Sequence, residues 1–216
     1  MSPTPLKALF LDFDGTIADS LNLLYRVYCE FLNHYGKKGS PEEFAELNGP
    51  AMSEVLQILK ERHGINGNAS ELFGDYQKKL LQIYAEQVEP YEGTIPFLDE
   101  IADRKIACYI VTSASAPLVE AFLTRHALTP KIQEVITPHG LSRSKPDPGI
   151  YLRALARSGA KPTDVIAVED SHNGILAATR AGIPTVAIGH ESRPDIATSG
   201  VICHAACWEE VLPLCH

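Results

Sequence analysis

The sequence predicts an α/β protein built on a parallel sheet, and three observations lead to this prediction. Short apolar runs recur along the chain, at residues 6–11, 106–111, 165–168 and 184–188. Each run is followed by a longer segment with helical spacing of its apolar residues, which is typical of parallel strands joined by helices. The runs are also continuously apolar, as expected for strands that are covered on both faces.

One segment departs from this alternation, because no convincing strand occurs between Ile17 and about Glu89. Its apolar residues fall instead on three helical stripes. The stripes are Leu21, Leu24, Val27, Tyr28 and Phe31, then Val55, Leu56 and Leu59, then Leu72, Tyr76, Leu80, Ile83 and Tyr84. The expected N-caps of these helices are Ser20, Ser53 and Ser70, and their expected ends are marked by Gly36, Gly64 and Gly67.

The length of 216 residues suits one large domain or one domain with a sizeable insert. We therefore predict a discontinuous α/β core, formed by residues 1–16 and 90–216, and an inserted all-helical domain at residues 17–89. Ligands of parallel sheets bind at the carboxyl ends of the strands. The residues that directly follow the apolar runs are therefore the candidates for a functional site.

The composition argues against several kinds of partner. The 27 acidic and 19 basic residues give a formal net charge of -8, which repels polyanions, so no nucleic acid is expected. No apolar run approaches the roughly 18 residues that a membrane-spanning helix needs, so no membrane is expected either. The five cysteines are an odd number in a chain large enough to fold without disulfides, which favours a reducing cytoplasm. Nothing in the sequence requires more than a monomer.

Two acidic residues, Asp12 and Asp14, stand two positions apart at the end of the first predicted strand. In strand geometry both carboxylates point to the same side. Carboxylates so close together repel each other unless a cation or a shared proton offsets the repulsion. The pair therefore indicates a hard metal ion, a proton-transfer role or both, although an Asp-Gly sequence is also common in solvated turns.

Further polar residues follow the later strands. Thr112 and Ser113 come directly after the run 106–111 and before a predicted helix, where hydroxyls and backbone amides suit an anion. Glu169 and Asp170 form a second acidic pair after the run 165–168, and Lys145 lies on a loop with two prolines. Helix capping and turn formation alone would also account for the serines and for the lysine loop.

In their order along the chain, four motifs resemble those of the haloacid dehalogenase-like superfamily of hydrolases. They are Asp12-Phe13-Asp14-Gly15-Thr16, Thr112-Ser113, Lys145-Pro146 and Glu169-Asp170-Ser171. The resemblance covers nearly the whole chain and is to the subfamily with a small helical cap inserted after the first motif, which includes phosphoglycolate phosphatase and beta-phosphoglucomutase. It implies a Rossmann-like core with the cap at residues 17–89.

This resemblance also implies a phosphatase that works through a covalent intermediate. Asp12 is implied as the nucleophile that attacks phosphorus, giving an aspartyl-phosphate that water then hydrolyses. Asp14 is implied as the acid that protonates the leaving oxygen and as the base that afterwards takes a proton from water. Thr112 and Lys145 are implied to bind the phosphate, and either Thr112 or Ser113 supplies the hydroxyl, with Ser113 otherwise contributing its backbone amide.

The implied cofactor is Mg²⁺, a hard cation that prefers oxygen ligands. Its implied ligands are the carboxylates of Asp12 and Asp170 and the backbone carbonyl of Asp14. Glu169 is expected to orient Lys145 or a metal-bound water rather than to bind the metal directly. The implied partner is a small phosphorylated metabolite.

Two alternatives to a phosphatase remain open. The mutases that the chain resembles carry a histidine in the first cap helix and an arginine between cap helices, and the corresponding places here are Leu24 and the neighbourhood of residues 49–52. Because neither polar group is present, a phosphosugar mutase is the weaker interpretation. A phospho-ligand-binding protein without catalysis is disfavoured because every motif residue is intact.

Overall fold

The computed structural model of the protein describes residues 6–47, 50, 52–66, 68–189 and 199–216. In chain order its strands are β1 (Ala8–Leu11), β2 (Ala18–Asp19), β3 (Glu89–Pro90), β4 (Ala107–Val111), β5 (Glu134–Ile136), β6 (Val165–Glu169), β7 (Thr185–Ile188) and β8 (Val201–Ala205). One sheet has the order β5-β4-β1-β6-β7-β8, and its neighbouring strands are all parallel. The predicted α/β fold is confirmed.

The helices are α1 (Leu21–His34), α2 (Pro41–Glu46), α3 (Met52–His63), α4 (Ala69–Glu86), α5 (Thr94–Asp103), α6 (Ala116–Arg125), α7 (Gly149–Ser158), α8 (His172–Arg180) and α9 (Trp208–Val211). Short 3₁₀ helices lie at Thr129–Lys131, Pro162–Asp164 and Leu212–Leu214. Within the described residues, no helix combines the length and the apolar character needed to cross a membrane.

β1 lies in the interior of the sheet, and all of its side chains are apolar and buried. Leu9 and Leu11 face one side, where they join a core that includes apolar residues of α5 and α6. Ala8 and Phe10 face the other side, in a core with apolar residues of α7 and α8. Since both faces of the sheet are covered, its strands can be continuously apolar, which is the pattern seen in the sequence.

The segment between β2 and β3 contains α1 to α4. The predicted three stripes correspond to α1, α3 and α4, whereas α2 is an additional short helix. It begins at Pro41 after Ser40, whose side chain accepts a hydrogen bond from the Glu43 amide. Gly36 and Gly64 follow α1 and α3 as expected, and both have positive φ. Gly67 lies outside the described residues.

The predicted N-caps of this segment are only partly correct. Ser20 occupies the N-cap position of α1, but its side chain makes no capping hydrogen bond there. Ser53 and Ser70 are not caps, because α3 already begins at Met52 and α4 at Ala69. Both serines therefore lie in the first turn of a helix, which is a two-residue error in each predicted helix start.

The prediction that residues 17–89 contain no strand is wrong at both ends of the segment. Ala18–Asp19 and Glu89–Pro90 form a two-stranded antiparallel sheet, in which Ala18 pairs with Pro90 and Asp19 pairs with Glu89. These strands are too short to leave a periodic pattern in the sequence. They lie where the helical segment leaves the parallel sheet and returns to it. The division into a core and a helical domain stays a prediction.

Candidate active site

The polar residues that follow the strands meet at the carboxyl edge of the parallel sheet. Asp12 directly follows β1, Thr112 follows β4 and Asp170 follows β6, and β1 pairs with both β4 and β6. In this strand order the chain adds strands first on one side of β1 and then on the other. The carboxyl edge beside such a reversal is the usual ligand-binding place of open α/β sheets.

Lys145 is buried at the centre of this site. Its ammonium donates to Asp12 Oδ1 at 2.6 Å, to Glu169 Oε1 at 2.7 Å and to the carbonyl of Val111 at 3.0 Å. Lys145 comes from the loop before α7, and its peptide bond to Pro146 is cis. The structure thus brings together three of the predicted site residues that are far apart in the sequence.

Glu169 is fully buried and forms an ion pair with the buried Lys145. The same carboxylate oxygen accepts a hydrogen bond from the Tyr151 hydroxyl at 2.5 Å. The Lys145 ammonium also lies 5.5 Å from the centre of the Tyr151 ring. Tyr151 was not among the predicted site residues, because the sequence places it within the apolar stripe of a helix.

Asp14 is held by two hydroxyls that the sequence analysis did not assign to the site. Ser20 donates to Asp14 Oδ1 at 2.6 Å, and the Tyr84 hydroxyl donates to the same oxygen. Burial raises the pKa of Asp14 to about 6, although the hydrogen bonds from Ser20 and Tyr84 act in the opposite direction. A carboxyl group with such a pKa is partly protonated near neutral pH, which suits a general acid.

Among the described residues of the site, buried carboxyl groups outnumber the cationic group Lys145. Burial raises the pKa of Asp12, and Lys145 opposes this effect. Burial and the neighbouring charge of Asp12 also raise the pKa of Glu169. For Lys145, burial lowers the pKa, but Asp12 and Glu169 outweigh it and keep the group a cation. One ammonium therefore faces several buried carboxyl groups.

A divalent cation fits this arrangement. Asp12, Glu169 and Asp170 are buried, and each has a carboxylate oxygen within 4.8 Å of the others. Oxygen ligands of this kind are those that Mg²⁺ prefers. Gly15 allows the loop to approach them, because a Cβ at its φ of 85° would stand 2.2 Å from Asp170 Oδ2. Both oxygens of Glu169 accept hydrogen bonds, Oε1 from Lys145 and Tyr151 and Oε2 from Ser171, whereas Asp12 binds Lys145 through Oδ1. Asp12 and Asp170 are therefore the better placed ligands.

Thr112 and Ser113 both line the cavity next to Asp12. The Thr112 hydroxyl oxygen is buried and accepts a hydrogen bond from the Ala114 amide at 3.0 Å. The proton of this hydroxyl can therefore be donated to an anion in the cavity. This geometry is compatible with Thr112 as the phosphate-binding hydroxyl, and the choice between Thr112 and Ser113 stays a prediction.

A buried carboxylate bound to a lysine, with an acidic cluster beside it at the switch point of a parallel sheet, is typical of the active site of an α/β enzyme. The sequence matches the family of haloacid dehalogenase-like hydrolases over residues 9–188. The chain belongs to this family. The membership predicted from the four motifs is thus confirmed.

The chain is also similar to individual proteins of this kind. It is 25% identical over 181 residues to a phosphorylated carbohydrates phosphatase of Thermotoga maritima, covering 84% of each chain. It is 29% identical over 188 residues to hexitol phosphatase A of Escherichia coli, covering 84% of this chain and 82% of the relative. A solved structure of CbbY from Rhodobacter sphaeroides in complex with phosphate shares the fold, with a TM-score of 0.83 at 22% identity over 95% of this chain and 96% of that one.

Proposed function

We propose that this hydrolase is a Mg²⁺-dependent phosphatase that removes phosphate from a small organic phosphomonoester through an aspartyl-phosphate. The observation that carries this proposal is the pair formed by Asp12, which is bound to Lys145, and Asp14, whose pKa is raised to about 6. Covalent phosphoryl transfer needs both a nucleophile and an acid next to it. The relatives named as phosphatases support the same reaction.

In the first step a carboxylate oxygen of Asp12 attacks phosphorus, and the bond from phosphorus to the leaving oxygen breaks. Asp14 donates its proton to that oxygen, so the alcohol leaves uncharged. In the second step water attacks the phosphorus of the aspartyl-phosphate and gives a proton to Asp14. Inorganic phosphate leaves and Asp12 is free again. Ser20 and Tyr84 keep the Asp14 carboxyl group in place throughout.

Lys145 and the hydroxyl of Thr112 bind oxygens of the transferring phosphate and reduce its negative charge. Glu169 holds Lys145 in position through the 2.7 Å contact. The carboxylates of Asp12 and Asp170 and the carbonyl of Asp14 would hold Mg²⁺. When bound, this ion neutralises charge on the phosphate as the displacement proceeds.

A phosphatase is favoured over a mutase by the position of Leu24. This residue stands where the resembled mutases carry a histidine, and its side chain lines the cavity. A mutase must hold and reorient a phosphorylated sugar, which needs polar groups at that place. The place at which the mutases carry an arginine corresponds to residues 49–52. Pro50 and Met52 also line the cavity, whereas Gly49 and Ala51 lie outside the described residues.

The test is phosphate release from a panel of small phosphomonoesters, measured with Mg²⁺ and with chelator. We expect release that requires Mg²⁺ and that disappears in Asp12→Asn, while the fold remains intact by circular dichroism. The matched control is Asp103→Asn, which makes the same change at an exposed carboxylate of α5 and should leave the rate unchanged. Normal phosphate release by Asp12→Asn would refute the covalent mechanism.

A further inference from the structure

The lining of the cavity that holds the site consists of two chemically different parts. The cavity has a volume of about 130 Å³, and its sheet side is lined by Asp12, Asp14, Thr112, Ser113 and Lys145. These residues form the part at which the phosphate would bind. Much of the remaining lining comes from residues of the helical segment, and we call this part the helical wall. Its described members are Leu21, Leu24, Tyr28, Phe44, Leu47, Pro50, Met52, Val55, Tyr76, Leu80 and Tyr84.

The helical wall carries no charged side chain among its described members. Two of its three tyrosines use their hydroxyls elsewhere, since Tyr28 donates to Glu43 and Tyr84 donates to Asp14. Tyr76 is therefore the one described tyrosine of the wall whose hydroxyl is left to meet a polar group of a ligand. A polyol placed against this wall would have most of its hydroxyls without hydrogen-bonding partners.

Several apolar residues of the helical wall are accessible to a ligand in the cavity. Leu21, Leu24, Phe44, Met52 and Val55 are partly exposed although they are apolar. They come from α1, α2 and α3, so three separate helices present apolar surface to the same space. An apolar group of a ligand that replaces water in such a cavity would bind favourably, because apolar surface of both the ligand and the wall is removed from water.

We propose that the physiological substrate is a phosphomonoester of an apolar alcohol, with an aryl or medium-length alkyl group that contacts the helical wall. This inference rests on the proposed function and specifies its substrate class. The phosphate would lie against Asp12 and Lys145, and the apolar part would extend toward Leu24 and Val55. Hydrolysis adds the oxygen of water to phosphorus and releases the free apolar alcohol. The wall thereby disfavours the carbohydrate and hexitol phosphates named for the relatives.

The first experiment compares kcat/KM, with Mg²⁺ present, for propyl, butyl, pentyl, hexyl and benzyl phosphate and for sorbitol 6-phosphate. We expect kcat/KM to rise by up to about fourfold for each added methylene until the wall is covered. Benzyl or hexyl phosphate should exceed sorbitol 6-phosphate by at least about tenfold, because the hydroxyls of the hexitol lose water without gaining partners.

The outcomes separate this inference from the proposed function. Equal or faster turnover of sorbitol 6-phosphate, with no dependence on alkyl length, would overturn the inference and leave the phosphatase in place. Absence of phosphate release from every compound, with acetyl phosphate included as a substrate that lacks an alcohol part, would overturn both.

The second experiment places a polar group in the wall. In Leu24→Asn the ratio of kcat/KM for hexyl phosphate to that for sorbitol 6-phosphate should fall by about tenfold or more, mainly through a higher KM for hexyl phosphate. Val55→Thr adds a hydroxyl with little change of shape and should lower the ratio in the same direction, which covers the case that Leu24→Asn does not fold. The matched control is Leu81→Asn, because Leu81 is 39% exposed on α4 and does not line the cavity. An unchanged ratio in folded Leu24→Asn and Val55→Thr would refute the proposal.

Discussion

The two hydroxyls on Asp14 come from outside the strand that carries it. Ser20 lies directly before α1, and Tyr84 lies near the end of α4. The Tyr84 ring also stacks on Phe13, with 5.7 Å between ring centres. The proposed acid, Asp14, is thus oriented by residues of the helical segment, while the proposed nucleophile, Asp12, is oriented by Lys145. A substitution in the helical segment can therefore displace the Asp14 carboxyl group while the Asp12 carboxylate keeps its position.

This separation predicts the behaviour of Tyr84→Phe. The variant keeps the ring stacking but loses one hydrogen bond to Asp14, so Asp14 should be less well placed to protonate the leaving group. We expect kcat to fall by roughly tenfold, a fraction of the 10²–10⁴ that a general acid contributes, while KM changes little. Steady-state kinetics test this, with Tyr35→Phe as the control, because Tyr35 lies at the end of α1 and its described ring contacts are to Phe31 and His34. A change in KM alone would contradict a positioning role for Tyr84.

Sequence reasoning found the site residues that directly follow strands and missed the hydroxyls that support them. Asp12, Thr112 and Asp170 could be found because a strand end fixes where the next side chain lies. Tyr84 and Tyr151 belong to apolar stripes of helices, where a tyrosine is ordinarily a core residue. Nothing local to Tyr84 shows that its hydroxyl meets a carboxyl group 70 positions away.

At the scale of elements, α8 begins very close to the acidic cluster. Gly174 lies in its first turn, and a Cβ built there would stand 1.9 Å from Glu169 Oε2. Gly74 lies in α4 with nothing within 4 Å of the same added atom. The two helices therefore differ in whether they can accept a side chain at their glycine.

We expect Gly174→Ala and Gly74→Ala to change stability in opposite directions. Gly174→Ala must displace the buried Glu169 and should lower the free energy of unfolding by about 1–3 kcal/mol. Gly74→Ala should raise it by about 0.5–1 kcal/mol, because alanine loses less backbone freedom than glycine in a helix. Urea denaturation of both variants is the measurement. A neutral Gly174→Ala would show that α8 does not approach Glu169 so closely.

A second element-scale feature is the carboxylate of Glu43, which joins three helices of the helical segment. It accepts hydrogen bonds from Tyr28 of α1 and from His63 of α3, the latter at 2.9 Å. Burial raises the pKa of Glu43, but these hydrogen bonds and Arg62 outweigh it, so the pKa lies below the ordinary value of 4.5. The ionised group therefore stabilises the fold above that value, and this stabilisation is lost as the pH falls through the lowered pKa.

Glu43→Gln should reproduce this loss at neutral pH. We expect the variant to be less stable than the wild type by about 1.5–3 kcal/mol at pH 7, the usual contribution of a hydrogen bond to a charged group. The difference should shrink as the pH falls through the lowered pKa of Glu43 and the carboxylate of the wild type is protonated. Urea denaturation between pH 7 and pH 3.5 measures it, with Glu54→Gln on the exposed face of α3 as control. A difference that is independent of pH would exclude ionisation of Glu43 as its cause.

The elements that sequence analysis missed are short or lie at edges. β5 has only three residues, so no periodicity can be seen in it. β8 is an edge strand with alternating exposure, and its short apolar run is interrupted by His204, unlike the longer runs that identified β1, β4, β6 and β7. The central strands could be predicted because burial on both faces leaves only apolar residues in them.

At the scale of the whole molecule, the net charge is -8, and three acidic side chains are buried together at the candidate site, where their mutual repulsion is unfavourable. A bound divalent cation should therefore raise the free energy of unfolding of the whole protein, in addition to its role in the proposed reaction. At a hundredfold excess over its dissociation constant, Mg²⁺ would add about 2.7 kcal/mol to the free energy of unfolding.

We expect Mg²⁺ to raise the Tm of the wild type and to raise that of Asp170→Asn much less, because the variant loses one of the proposed carboxylate ligands. Thermal unfolding over a range of Mg²⁺ concentrations is the measurement. Asp75→Asn, at an exposed position of α4, is the matched control and should keep the full shift. Equal shifts in all three proteins would remove Asp170 from the proposed metal site.

The pairing of Ala18–Asp19 with Glu89–Pro90 has a consequence for how this architecture can change in evolution. Paired antiparallel strands hold opposite Cα atoms only about 5 Å apart. The two ends of the helical segment between these strands therefore lie next to each other. A gene segment coding for that stretch could be exchanged for another of different length without moving β1, the strand that Asp12 follows. Recombination at this point would change the choice of leaving group in a single event, provided that the new segment again supplies hydroxyls for Asp14 in place of those of Ser20 and Tyr84.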